Sequence, residues 1–178
     1  MIAGQPFTIE ITSSEPDADQ ILRIMAEIVD DYSTRPEIRA FALRVIGNMG
    51  HDDRRRQLDA ITNFVVKNVL YVRDPIGVEY ILTPDRMIKE YEMTGVIRGD
   101  CDDHTILANT LLQSVGFETR PIGVKVFRSD VYDHTISEIK MDNGKWYTFD
   151  GCRKDDPFKQ YPPGAKLVLP EHGGGMDE

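Results

Sequence analysis

The 178-residue chain is short of cysteine, of positive charge and of long apolar runs. Its two cysteines, Cys101 and Cys152, are too few for a disulfide framework and cannot make a four-thiolate zinc site. No segment approaches the roughly 18 apolar residues that a membrane-spanning helix needs. The first residues, Met1-Ile2-Ala3-Gly4-Gln5-Pro6, show no basic region followed by an apolar stretch, so no secretory leader is expected. Lys and Arg number 21 against 30 Asp and Glu, for a net charge of −9. That balance argues against nucleic acid or an anionic membrane as partner, because both require the protein to neutralise phosphate. What is present, 40% hydrophobic and 29% charged residues, is the balance of a soluble globular protein. The length suits one domain with a substantial core. The expectation is a single domain over residues 1–170, followed by a flexible tail at 171–178 whose glycine-rich end has nothing to bury.

The first half reads as helix. Residues 18–31 place Ile21, Leu22, Met25, Ile28 and Val29 at helical spacing. Thr34-Arg35-Pro36-Glu37 combines a capping-box pattern with proline in a first turn, opening a second helix with Ile38, Phe41, Val45 and Ile46. A third helix is expected from about Asp53 to Val69, with Arg54-Arg55-Arg56 solvated or paired to Asp52 and Asp53. Thr83-Pro84 starts a short helix through Met87, Ile88 and Tyr91, and another helix runs from Cys101 toward Gly116. After Gly116 the period changes to alternation. Strands are expected at about 119–127, 134–141 and 145–150, and a last short one at 166–169, with Asp142-Asn143-Gly144 as a hairpin turn. Helices followed by an antiparallel sheet make an α+β class, with the helical N-terminal half packed on the sheet.

Cys101 follows a glycine and an aspartate at a helix start. With Asp100 as N-cap, a Cys101 thiolate lies among unpaired backbone N–H groups at the positive end of the helix dipole, one of the few settings that lowers a thiol pKa. The same N–H groups can hold an oxyanion during acyl transfer. A nucleophilic cysteine needs a base, and the base an orienting group. His134 begins a strand and Asp150 ends the next. Hairpin parity tests the idea, since side chains alternate faces along a strand. A two-residue Asn143-Gly144 loop sends His134 and Asp150 to opposite faces. A three-residue loop, with Gly144 left-handed, pairs Met141 with Lys145 and puts both on one face as diagonal neighbours. Catalysis therefore requires the odd loop or a bulge, and that register also sets Cys152 opposite His134.

These motifs resemble those of a known family. Gly99-Asp100-Cys101-Asp102-Asp103-His104-Thr105, with Leu111-Leu112 and Gly116-Phe117, resembles the nucleophile motif of the transglutaminase-like superfamily. His134-Thr135-Ile136-Ser137-Glu138-Ile139 resembles its histidine strand, and Asn143-Gly144-Lys145-Trp146-Tyr147-Thr148-Phe149-Asp150 its aspartate strand. The likeness spans about residues 58–152. Tyr71-Val72-Arg73-Asp74-Pro75 ahead of the cysteine motif is similar to members encoded by tailed phages and prophages. The resemblance implies a papain-like α+β fold, with Cys101 as nucleophile, His134 as base and acid, and Asp150 as orienter. It implies that Asp103, like Asp100, supports or caps the helix start, and it leaves Tyr71 as a candidate oxyanion donor. Thr135-Ile136 stands where the family has alanine–tryptophan, which alters the wall of the acyl site. The implied activity is cleavage of an amide bond in a protein or peptide substrate through a thioester, with no cofactor and no metal. Transfer to an amine is the alternative within the class. The implied location is the cytoplasm of a bacterial or phage-infected cell.

Rival readings start from the same residues. His104 is a second possible base, three positions after Cys101 but without an obvious orienting carboxylate. Asp100, Asp102, Asp103 and His104 could bind a hard cation. Contiguous residues at a helix start point in different directions, however, and capping and solvation explain the acids. The carboxylates also oppose the dipole by raising the thiol pKa. Cys152 is a strand-end packing residue or a second thiol with redox sensitivity. The competing class is a non-catalytic protein that keeps the fold and serves virion assembly or another protein partner.

Overall fold

The computed structural model describes residues 8–11, 17–50, 53–75, 79–127 and 130–170. The 171–178 tail lies outside them. Three helices open the main body: α1 (Ala18–Ser33), α2 (Pro36–Ile46) and α3 (Arg54–Asn68). Asp17 caps α1 by accepting the Asp19 amide, and Leu22, Met25, Ile28 and Val29 form its buried side. The capping box expected at Thr34–Glu37 does not form. Thr34 ends α1 instead, its hydroxyl donating to the Asp31 carbonyl, and α2 begins at Pro36 without a side-chain cap. An exposed N–H at a first turn costs little when proline already removes one donor.

The remaining elements are β1 (Thr8–Ile11), β2 (Val69–Tyr71), β3 (Glu79–Leu82), α4 (Pro84–Thr94), β4 (Ile97–Gly99), α5 (Cys101–Ser114), β5 (Glu118–Val124), β6 (His134–Lys140), β7 (Trp146–Phe149) and β8 (Lys166–Leu167). β5 to β8 form an antiparallel sheet in the order β7-β6-β5-β8, the α+β arrangement expected. Two small sheets were not anticipated: β1 pairs antiparallel with β3, and β2 parallel with β4. Strands of three or four residues carry too little alternation to show a period, and tertiary pairing decides them. β5 stops at Val124 rather than 127, because the Asp133 carboxylate takes the Val126 and Phe127 amides out of any ladder.

α5 is the hub. α1, α2 and α3 pack on it from one side and β5 and β6 from the other. Ile106, Leu107, Ala108, Leu111 and Leu112 are fully buried. Truncating a leucine in such a site costs about 2–5 kcal/mol. The far end of α5 is held by Arg54, which donates to the Val115 and Gly116 carbonyls and stacks on Phe117 at 3.7 Å. Arg54 thus caps a helix, while Arg55 and Arg56 pair with Asp59 and Asp53 on the surface. The near end of α5 carries the cysteine.

Candidate active site

The parallel pair β2–β4 sets Gly99 beside Tyr71 and delivers the chain to α5. A Cβ built on Gly99 would lie 2.5 Å from the Asp103 Cβ, so only glycine fits there. Asp100 is the N-cap, and its Oδ1 accepts the Asp102 amide at 3.0 Å. Asp103 closes the capping box, with Oδ2 accepting the Asp100 amide while Oδ1 accepts the Leu82 amide at 2.8 Å. Asp103 therefore ties β3 to the helix start. Cys101 is the first helical residue and is half-buried.

The hairpin β6–β7 has the odd loop. Met141 and Lys145 face each other across Asp142-Asn143-Gly144, with the Met141 amide donating to the Lys145 carbonyl at 3.0 Å. Gly144 has φ 75, the left-handed value that such a loop needs. The register runs on through Ser137 opposite Phe149, which sets His134 and Asp150 on one face. His134 Nε2 lies 2.9 Å from Asp150 Oδ2. The second Asp150 oxygen accepts the Cys152 amide at 3.0 Å, and the Asp150 amide donates to the Pro157 carbonyl. The carboxylate, 1% exposed, is thus fixed at both oxygens and orients the ring through Nε2.

Cys101 and His134 line one cavity of about 390 Å³, together with Tyr71, Thr135 and the carboxyls of Asp74, Glu79, Asp100 and Asp102. Arg73 is the basic residue in the described lining. A larger hollow of about 740 Å³ between α4 and β3 contains neither the thiol nor the imidazole, and chemistry rather than size places the candidate site. Crowding of acids dominates the electrostatics. Burial and then the Asp102 charge push Glu79 up to about 9, and burial and then Asp102 push Asp100 up to about 7. The Cys101 thiol moves up as well, through burial, then Asp102 and Asp100, against the lowering pull of a hydrogen bond from the Thr135 amide. Of the two opposed influences expected from the sequence, the helix dipole and the neighbouring carboxylates, the raising side prevails, with desolvation added to the two acids. Tyr71 is pushed up to about 12 by burial and the neighbouring acids, so its phenol keeps its proton and can donate.

His104 is 2% exposed, with Nδ1 2.6 Å from the Asp100 carbonyl oxygen, and burial lowers its pKa. It faces away from the cavity lining and packs under Gly151, where an added Cβ would meet it at 3.2 Å. The acids of the helix start divide in the same way. Asp100, Cys101 and Asp102 present ligand-type atoms within 4.8 Å of one another, as do Asp74, Glu79 and Asp100, whereas Asp103 and His104 are turned to backbone partners. Cys152 lies within 4.8 Å of the His134 and Asp150 ligand-type atoms. Thr135, marked from the sequence as a change in the wall, and two acids given no role there complete the lining. Thr135 Oγ1 donates to Asp102 Oδ1 at 2.5 Å, and Asp74 after β2 and Glu79 at the start of β3 border the same cavity. Nothing local flags a role for Asp74 or Glu79.

A cysteine at the start of a buried helix, packed on an antiparallel sheet that carries a His–Asp pair, is the architecture of papain-like proteins. The sequence profile of the transglutaminase-like superfamily matches residues 39–151, and the chain belongs to that superfamily. Two solved structures share the fold. A proposed cysteine protease from Cytophaga hutchinsonii superposes with a TM-score of 0.51 at 19% identity, over 70% of this chain and 42% of that one. A proposed protease from Parabacteroides distasonis superposes with a TM-score of 0.54 at 11% identity, over 83% of this chain and 32% of that one. The chain thus spans less than half the length of either. No curated protein matches the sequence. Among the described residues no helix is long and apolar enough to cross a membrane.

Proposed function

We propose that the protein is a cysteine-dependent acyl-transfer enzyme that cleaves amide bonds in a protein or peptide. The observation that carries this reading is the His134–Asp150 pair at 2.9 Å on a strand bordering the cavity that also holds Cys101. Asp150 fixes the ring through Nε2, which leaves Nδ1 as the atom that takes the thiol proton. With the thiol pKa raised, His134 removes that proton as sulfur attacks the carbonyl carbon, rather than holding a preformed ion pair. The C–N bond then breaks, the amine leaves with the proton from His134, and water resolves the thioester by the reverse transfer. Backbone N–H groups at the α5 start and the neutral Tyr71 phenol are the candidate oxyanion donors. Asp100 and Asp103 support the helix start on which the thiol stands. Bacterial or phage-infected cytoplasm is the proposed setting, and a virion or other protein partner the proposed non-catalytic role.

The anionic wall favours a second reading, transfer of the acyl group to an amine, since a cation is drawn to that cavity. Incubation with a defined peptide library, read by mass spectrometry with and without a primary amine, separates the two. New peptide termini support hydrolysis, and amine adducts support transfer. No product from the native protein, or the same products from Cys101→Ala, rejects both.

A further inference from the structure

Asp102 follows the nucleophile position directly and has no part in the His–Asp pair, yet its carboxylate meets both Cys101 and Thr135. Its Oδ1 accepts the Thr135 hydroxyl at 2.5 Å and lies 3.6 Å from the Cys101 sulfur, within reach of an S–H donor. Thr135 is also the residue after His134. One carboxylate oxygen therefore meets both the sulfur and the side chain next to His134, joining the start of α5 to the start of β6.

We propose that Asp102 is the positioning residue of this site: one carboxylate oxygen, shared between the Thr135 hydroxyl and the Cys101 thiol, sets the sulfur against the strand that carries His134 and keeps a proton on it in the unliganded protein. The inference rests on the reading of Cys101 as nucleophile. Glu79 adds to the same surroundings: pushed up to about 9 by burial and then by Asp102, its carboxyl carries a proton at neutral pH. The thiol is faced by Asp100 from its own helix, by Cys152 after β7 and by His134 on β6. Tyr71 at the end of β2, Arg73 and Asp74 after it, and Asp133 before β6 border the same cavity. Of these groups, Asp102 alone has an oxygen recorded within hydrogen-bond reach of the sulfur among the described residues. When a substrate carbonyl arrives, the S–C bond forms as the S–H proton passes to His134, and Asp102 stays bonded to Thr135 throughout.

The test is the pH dependence of iodoacetamide alkylation at Cys101, in a Cys152→Ala background so that one thiol reports. Asp102→Asn keeps the shape and an acceptor oxygen but removes the charge. Its alkylation midpoint is expected at lower pH than the parent's, with about tenfold faster labelling at pH 7 for each unit moved. Thr135→Val keeps the shape and the amide but removes the hydroxyl, leaving the Asp102 oxygen to the thiol alone. Its midpoint is expected at higher pH, and Thr135→Ser restores the parent profile. Opposite shifts from the two variants distinguish this role from simple loosening of the site, which moves both the same way. An unmoved or raised midpoint in Asp102→Asn, or the same direction in both, overturns the proposal. If Asp102→Asn does not fold, the threonine pair decides, and equal profiles for valine and serine overturn it. Alkylation needs no substrate. A shifted profile in a protein that cleaves no peptide therefore rejects the enzymatic reading alone, and cleavage with unmoved profiles rejects this inference alone.

Discussion

Asp150 and Asp102 serve two parts of one candidate site, the His134 ring and the Cys101 thiol, and their surroundings differ in kind. Asp150 is buried with each oxygen given one partner, an imidazole and an amide, and no second acid adjoins it in hydrogen-bond contact. Asp102 shares its wall with Asp74, Glu79 and Asp100, whose pKa values are all raised by burial and then by the Asp102 charge. One wall is electrostatically satisfied and the other is frustrated. The satisfied wall fixes a geometry, and the frustrated wall sets a protonation state. Frustration concentrated beside one thiol is the pattern expected where local stability has been traded for chemistry.

The largest effect comes from breaking the satisfied wall. Asp150→Ala frees the His134 ring to turn, and peptide turnover is expected to fall about 10³–10⁴-fold, with His134→Ala no better. Turnover within tenfold of native in a folded Asp150→Ala protein would mean that the pair is structural only. Gly99→Ala acts on the frustrated wall by steric means. The added methyl meets the Asp103 side chain, so the capping box opens, and a stability loss of about 1–3 kcal/mol is expected in denaturant unfolding. An unchanged midpoint would show that Asp103 can move aside.

A smaller and more selective effect is the pH dependence of stability. Asp100, at about 7, and Glu79, at about 9, both lie above the ordinary carboxyl value of about 4, so the folded state binds protons that the unfolded chain releases. Their contribution is whole below about pH 4 and is lost as pH rises through about 7 and about 9. The melting temperature is therefore expected to fall between pH 5 and pH 9, and Glu79→Gln to flatten the upper part of that fall. A curve that rises over this window contradicts the crowding of acids. The smallest effect is at the hairpin, where Gly144→Ala forces a methyl into a left-handed position and costs about 1 kcal/mol without moving the His134–Asp150 pair.

Sequence patterns reveal the satisfied wall far more readily than the frustrated one. His134 and Asp150 are 16 residues apart on one hairpin, and the alternation of β6 and β7, with glycine at the loop, fixes their common face by local rules. The helix start at Cys101 is equally local, because Asp100 and Asp103 sit at capping-box spacing. The acid wall is assembled from three separate stretches, at 74, 79 and 100–102, and two of them reach the cavity through β2, β3 and β4. Those strands are too short to show a period, and their pairing is decided by tertiary contacts rather than by local pattern. The balance at the thiol is open in the sequence for the same reason: local spacing shows the helix dipole and the adjoining acids but not the depth of burial. Thr135 marks the boundary between the two kinds of information. It is conspicuous in the sequence as a departure beside His134, yet its partner becomes visible only when α5 docks on β6.

The odd loop at Asp142-Asn143-Gly144 has a consequence for how this hairpin can change in length. Its tip is exposed and distant from the cavity, the kind of site where surface loops ordinarily accept single-residue insertions and deletions. Here a change of one residue, unless a bulge absorbs it, turns every side chain of β7 over relative to β6 and carries Asp150 to the far face from His134. Loop grafts and natural length variants that keep the pair together must add or remove residues two at a time. The parity of a loop that touches nothing in the site is a condition for the site to exist.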